Sequence, residues 1–140
     1  MKIIHIKIYF LVATIFFFSC FTKYNFFIKL NKSGTIVGIN EEFIVIDKNL
    51  IYKNKKTGIT IKLKLSQDKI KLIKEISEKI EKKERESIGK VFPDCMIYEI
   101  VIKERGSFKK ITYIPTFEIK EPDIDKLIDI LHKCLNDKIE

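Results

Sequence analysis

Residues Ile59-Thr60-Ile61-Lys62-Leu63-Lys64-Leu65 decide the fold. Ile59, Ile61, Leu63 and Leu65 alternate with Thr60, Lys62 and Lys64, the two-residue period of a strand with one buried and one wet face. Ser66 then stands where a helix N-cap belongs. From Asp68 to about Glu84 the period changes. Ile70, Ile73, Ile76 and Ile80, with Leu72 beside them, form one stripe at helical spacing. A half-wet strand followed by a one-striped helix needs a second layer, and the simplest is the helix lying on the strand's own sheet. A coiled-coil partner is the alternative, but the stripe covers only about three turns.

Upstream of this stretch, Phe26, Ile28 and Leu30 alternate with Phe27 and Lys29, which reads as a strand. Lys32-Ser33-Gly34 turns into Thr35–Ile39, a second strand that is short or bulged at Gly38. Asn40-Glu41 breaks it, and Glu42–Ile46 is a further strand. Asp47-Lys48-Asn49 turns into Leu50–Lys53, and Asn54–Gly58 turns again into the deciding strand. Downstream, Ser87-Ile88-Gly89 ends the helical region and Pro93-Asp94 keeps the chain extended. Met96–Lys103 is a strand with Tyr98, Ile100 and Ile102 on one face. Glu104-Arg105-Gly106-Ser107 is a hairpin turn, Phe108–Ile114 returns, and Pro115 marks an edge or a strand end. Pro122 suits the first turn of a helix, with Glu121 and Asp123 at its positive end. Ile124, Leu127, Ile128, Leu131 and Leu135 make that helix's stripe. The prediction is an α+β domain. It has an antiparallel sheet of about six strands and two helices on one face, in the order ββββ-α-ββ-α.

Ahead of this domain, Lys2 and Lys7 precede an apolar run from Ile8 to Phe18, closed by Ser19-Cys20. A basic start, an apolar middle and a small residue at a cleavage point make a secretory signal. The run is about 11 residues, whereas a spanning helix needs about 20. Phe17-Phe18-Ser19-Cys20 resembles the lipobox of bacterial lipoproteins. The common pattern has Leu where Phe17 stands and a small residue where Phe18 stands; Phe-rich versions ending Ser-Cys are of the Bacteroidota type. The resemblance implies cleavage before Cys20, lipid on the Cys20 sulfur and an acylated new amino terminus. The expected organisation is a lipoprotein signal peptide over 1–19, a short tether over 20–24 and a single α+β domain over 25–140. The implied address is the bacterial cell envelope, with the outer membrane facing the periplasm as the default. No Asp follows Cys20 and no acidic cluster follows it either. The implied partners are the membrane, through lipid on Cys20, and a protein of the envelope. Export argues against nucleic acid as a partner.

The formal charge is +8, and losing Lys2 and Lys7 with the signal leaves +6. A basic balance fits an anionic membrane surface or an acidic partner. The blander account is a composition rich in Ile, Lys and Asn, with lysines spread over helices and strands. With Cys20 reserved for lipid, Cys95 and Cys134 are a candidate disulfide in a compartment that permits one. Two buried free thiols are the alternative.

Chemistry has little to work with. His5 leaves with the signal, so His132 is the only mature histidine, one position off its helix's stripe. Cys134 is two residues away, which does not place the pair on one helix face. No serine sits in a nucleophile elbow, and no HExxH, CxxC or phosphate-cradling glycine loop is present. Catalytic, metal and cofactor sites are therefore all expected to be none. Glu41, Glu42 and Glu99 are the carboxylates an enzyme would have to use. Glu41-Glu42 and Asp123/Asp125 are sufficiently explained by a strand start and a helix N-terminus. The chain reads as a non-catalytic binding or structural module with no cofactor.

A second resemblance covers most of the mature chain. Ser33-Gly34-Thr35-Ile36-Val37-Gly38, followed by alternating apolar residues to Asp47, is similar to the opening of emfourin-type protease inhibitors. Tyr98-Glu99-Ile100-Val101-Ile102, a hairpin, then Pro122 and a Leu/Ile helix is similar to how those proteins close. Gly34-Thr35 stands where that family usually shows paired glycines. The resemblance implies binding to thermolysin-like metalloproteases, and no inhibitory residue carries over.

Overall fold

A computed structural model of the protein describes residues 25–34 and 38–138. The expected signal peptide and tether, with Cys20, and the residues Thr35-Ile36-Val37 lie outside the described residues. Among the described residues seven strands and two helices follow one another. They are β1 (Phe26–Gly34), β2 (Ile39–Ile46), β3 (Asn49–Asn54), β4 (Thr60–Lys64), α1 (Gln67–Glu81), β5 (Ser87–Ile88), β6 (Met96–Glu104), β7 (Ser107–Tyr113) and α2 (Pro122–Asn136). One sheet holds all the strands in the order β4-β3-β2-β1-β6-β7-β5. Every pairing is antiparallel except β5 on β7. The α+β class and the ββββ-α-ββ-α order are as the sequence predicts. The seventh strand is the two-residue β5.

β1 sits at the centre because it pairs along its whole length with β6 and nearly so with β2. Phe26, Ile28 and Leu30 point to the covered face and are essentially inaccessible. Their cross-strand neighbours Phe43 and Val45 on β2 and Ile100 and Ile102 on β6 share that face and are equally buried. The helices close over it. Ile70, Ile73, Ile76 and Ile80 of α1 and Ile124, Leu127 and Leu131 of α2 are all buried in the same core. The helix therefore packs on its own sheet, not on a coiled-coil partner. The two helices run antiparallel, pinned by Lys69–Asp137 at 2.9 Å at one end and Lys83–Glu121 at 2.7 Å at the other. Among the described residues the core cluster runs from Phe26 to Leu135.

Local signals behave as their chemistry dictates. The Ser66 hydroxyl accepts from the Lys69 N–H and caps α1, and Pro122 opens α2. Arg105 and Gly106 both have positive φ, the two-residue turn that matches the twist of a hairpin.

Four expectations change. Lys32-Ser33-Gly34 is not a turn but the end of β1, paired with both β2 and β6. Ile59 lies outside β4 and is 53% exposed, so Leu63 and Leu65 carry the buried face of that stretch. Asn40-Glu41 does not interrupt the second strand, and β2 runs unbroken from Ile39 to Ile46. Polar side chains are tolerated there because Glu41 accepts from the Tyr52 hydroxyl at 2.8 Å and lies 3.3 Å from Lys32. Ser87-Ile88-Gly89 is more than a helix end. The Thr112 N–H donates to the Glu86 carbonyl, and the Ile114 N–H to the Ile88 carbonyl, each at 2.8 Å, so the segment extends the sheet beyond β7.

Candidate binding face

Strand alternation gives the sheet a second face, and no described helix lies on it. The pairing registers align its side chains in rows. One row runs Lys62, Ile51, Ile44, Lys29, Val101, Lys110 from β4 to β7. The next, nearer the start of β1, runs Lys64, Asn49, Ile46, Phe27, Lys103, Phe108. Neither row contains a carboxylate. Ile44, Ile46, Ile51, Val101 and Phe27 are half-buried, while Phe108 is 68% exposed. Lys62, Lys64 and Lys110 are exposed around this apolar centre. Across the sheet such a row spans about 24 Å.

Acidic residues enter only in the third row, on the far side of Lys29. Glu42 on β2 is 4% exposed, yet three lysines reach it. Lys55 lies 3.1 Å away, Lys29 3.2 Å and Lys53 3.5 Å. Burial alone would raise its carboxyl. Hydrogen bonds from Lys55 and Lys29, together with their charges, outweigh that and hold it below the usual carboxylate range. Glu99 on β6 is half-buried and lies 3.8 Å from Lys110. Counted over the strands, the uncovered face carries Lys29, Lys53, Lys62, Lys64, Lys103 and Lys110 against Glu42 and Glu99, a formal +4. The two helices carry six lysines against seven carboxylates. The lysines that look spread along the sequence are thus sorted by the fold. Lys62 and Lys64 advertise this by their own alternation. Lys29, Lys103 and Lys110 join them only through long-range pairing.

The other candidates fall elsewhere. Cys95 and Cys134 are free, buried thiols, which corrects the candidate disulfide. Cys95 precedes β6, whereas Cys134 on α2 lines a depression with Leu63, Leu65 and Lys69 at the β4 edge. β4 and β6 are four strand positions apart, about 19 Å, and a disulfide joins Cα atoms roughly 4.4–6.8 Å apart. His132 lies edge-on to the Phe43 ring, centroids 4.9 Å apart. Burial pushes its imidazole down and the Lys32 charge adds to that, against Glu41 and Asp129. Glu41 is engaged by Tyr52 and Lys32, so Glu41, Glu42 and Glu99 do not converge on one cleft. Asp123 lies 3.6 Å from Lys83, and Asp125 accepts from the Tyr113 hydroxyl. Among the described residues no three His, Cys, Asp or Glu side chains gather as a metal would require.

No protein-family model matches the chain, and no curated protein matches it.

Proposed function

We propose that the chain is a lipid-anchored lipoprotein of the bacterial cell envelope, held at the outer membrane on the periplasmic side. Its domain acts by binding, not by catalysis. The observation that carries the binding role is the uncovered sheet face, where an apolar centre is bordered by lysines and two whole rows lack a carboxylate. Surfaces of that composition are associated with recognition. The anchor rests on Phe17-Phe18-Ser19-Cys20, which leaves only residues 20–24 between the lipid and the domain.

The test is an intact-mass spectrum of the native protein purified from membranes, beside a Cys20→Ala form. The expected species begins at Cys20 and carries acyl mass, which the variant lacks. A chain that retains residues 1–19, or carries no added mass, overturns the anchor.

A second reading keeps the emfourin likeness as a proposal of metalloprotease binding. The feature that favours it is Phe117, 96% exposed on a braced loop. The Thr116 N–H donates to the Ile119 carbonyl at 3.1 Å, and the Ile119 N–H to the Thr116 hydroxyl at 2.9 Å. An aromatic side chain held out in this way is suited to filling a partner's pocket. A thermolysin-like protease whose rate is unchanged by micromolar protein sinks this reading.

A further inference from the structure

We propose that the anchor-proximal half of the uncovered sheet face, the rows of Phe27 and Lys29, docks on the anionic headgroup layer of the bilayer. The anchored reading underlies one part of this, the nearness of the face to a membrane. The charge and apolar pattern of the face stand independently of it.

Three observations converge. Where the chain enters the domain decides which surface is near the lipid. From Cys20 to Asn25 the chain reaches at most about 18 Å. Phe27, two residues further on, already projects from the uncovered face. The rows nearest that entry carry Lys29, Lys62, Lys64, Lys103 and Lys110 and no acid, while Glu42 and Glu99 fall in the row beyond. The charge pattern is thus graded toward the tether. Lysines on the edge strand β4 also guard it against edge pairing. Lys29 and Lys103 lie on the central strands β1 and β6, where that need does not exist.

The apolar residues complete the pattern. Phe108 is exposed, and Phe27, Ile46, Ile44, Ile51 and Val101 form the patch beside it. An interfacial surface buries apolar side chains at the headgroup boundary while lysine stems extend to phosphate oxygens. A soluble acidic partner would match the lysines but would not account for their position beside the chain entry. The helix layer, with its slight acidic excess, then faces away from the bilayer.

The test uses the chain from Cys20 onward with Cys20→Ser, which keeps every residue of the core cluster from Phe26 to Leu135 and carries no lipid. Vesicles of phosphatidylcholine alone are compared with vesicles containing equal parts phosphatidylglycerol, by co-sedimentation. Binding to the anionic vesicles, weakening as salt shortens the screening length to about 8 Å, is expected. Lys62→Gln with Lys64→Gln should weaken it about 30-fold. Lys71→Gln with Lys79→Gln, exposed on α1, should leave it within about twofold, with melting curves checking that both pairs fold. Equal binding to neutral vesicles, or equal losses from the two lysine pairs, overturns the proposal. Capture by polyglutamate without capture by anionic vesicles overturns it in favour of an acidic protein partner. A lipidated native chain whose face ignores vesicles would sink this inference and leave the anchor standing. An unlipidated chain whose face still binds them would support the inference and sink the anchor.

Discussion

The Tyr113 hydroxyl donates to the Asp125 carboxylate at 2.9 Å, joining the end of β7 to the first turn of α2. The same oxygen accepts from the Glu121 N–H at 3.2 Å, so one phenol braces the helix start where no side chain caps it. Tyr113 is inaccessible, and burial, with the Asp125 carboxylate beside it, pushes its phenol up to about 12.

Tyr113→Phe keeps the ring and deletes both bonds. It should lower stability by about 1.5–3 kcal/mol, the range for a hydrogen bond to a charged group. The folded pKa lies above the ordinary value of 10.0, so the contribution is complete below that pH and is lost as pH rises toward about 12. Urea unfolding of both forms across that window checks this. A gap between them that widens with pH would contradict the assignment.

Glu42 behaves in the opposite sense. Its folded pKa is lowered, so its contribution is present above the usual carboxylate range and fades as pH falls through the folded value. Its lysines have side chains 35–45% exposed, which screens the pairs. Glu42→Gln should therefore cost only about 1 kcal/mol at neutral pH. Denaturant midpoints should converge on those of the parent in acid, and the variant should bind anionic vesicles more tightly.

Gly89 is required by space as well as by backbone. Its φ is +93, and an added Cβ would sit 2.3 Å from the Ile114 carbonyl oxygen. That oxygen belongs to the backbone beside the β5–β7 pairing and has little room to move. Gly89→Ala should cost about 3 kcal/mol. Gly58 has φ +74 with nothing within 4 Å of the added Cβ, so Gly58→Ala should cost only about 1 kcal/mol. Equal midpoint shifts in the two variants would refute the steric account.

The fold was legible where periodicity is local. The alternation at Ile59–Leu65 and the stripe Ile70, Ile73, Ile76, Ile80 predicted the layer arrangement, and all four stripe residues are buried, although Ile59 itself is exposed ahead of β4. β5 was not legible, because two residues are too short for any period and their partner is β7, far along the chain. Nor was the continuity of β2, since Asn40-Glu41 reads as a break until Tyr52 and Lys32 supply partners. The candidate face was half legible. Alternation shows which lysines of one strand share a side, but only register places Lys29 beside Val101 and Lys110. Composition and spacing could not supply that, because β1 and β6 lie about 70 residues apart along the chain and no local pattern links them.

The thiols give a test of topology that needs no ligand. In a Cys20→Ala chain the cysteines are Cys95 and Cys134. Both are at most 4% exposed, and burial pushes the Cys134 thiol up, so the reactive thiolate is scarce. The folded chain should react slowly with a thiol reagent, and the unfolded chain should release two thiols. Dithiothreitol should leave the unfolding midpoint unchanged. A bridge would close a loop of about 40 residues and contribute roughly 4 kcal/mol, which reduction would remove. A reductant-sensitive midpoint would therefore bring the β4 edge and the start of β6 together, which the strand order β4-β3-β2-β1-β6 forbids. Such a result would overturn the sheet order itself and, with it, the row of lysines that order assembles.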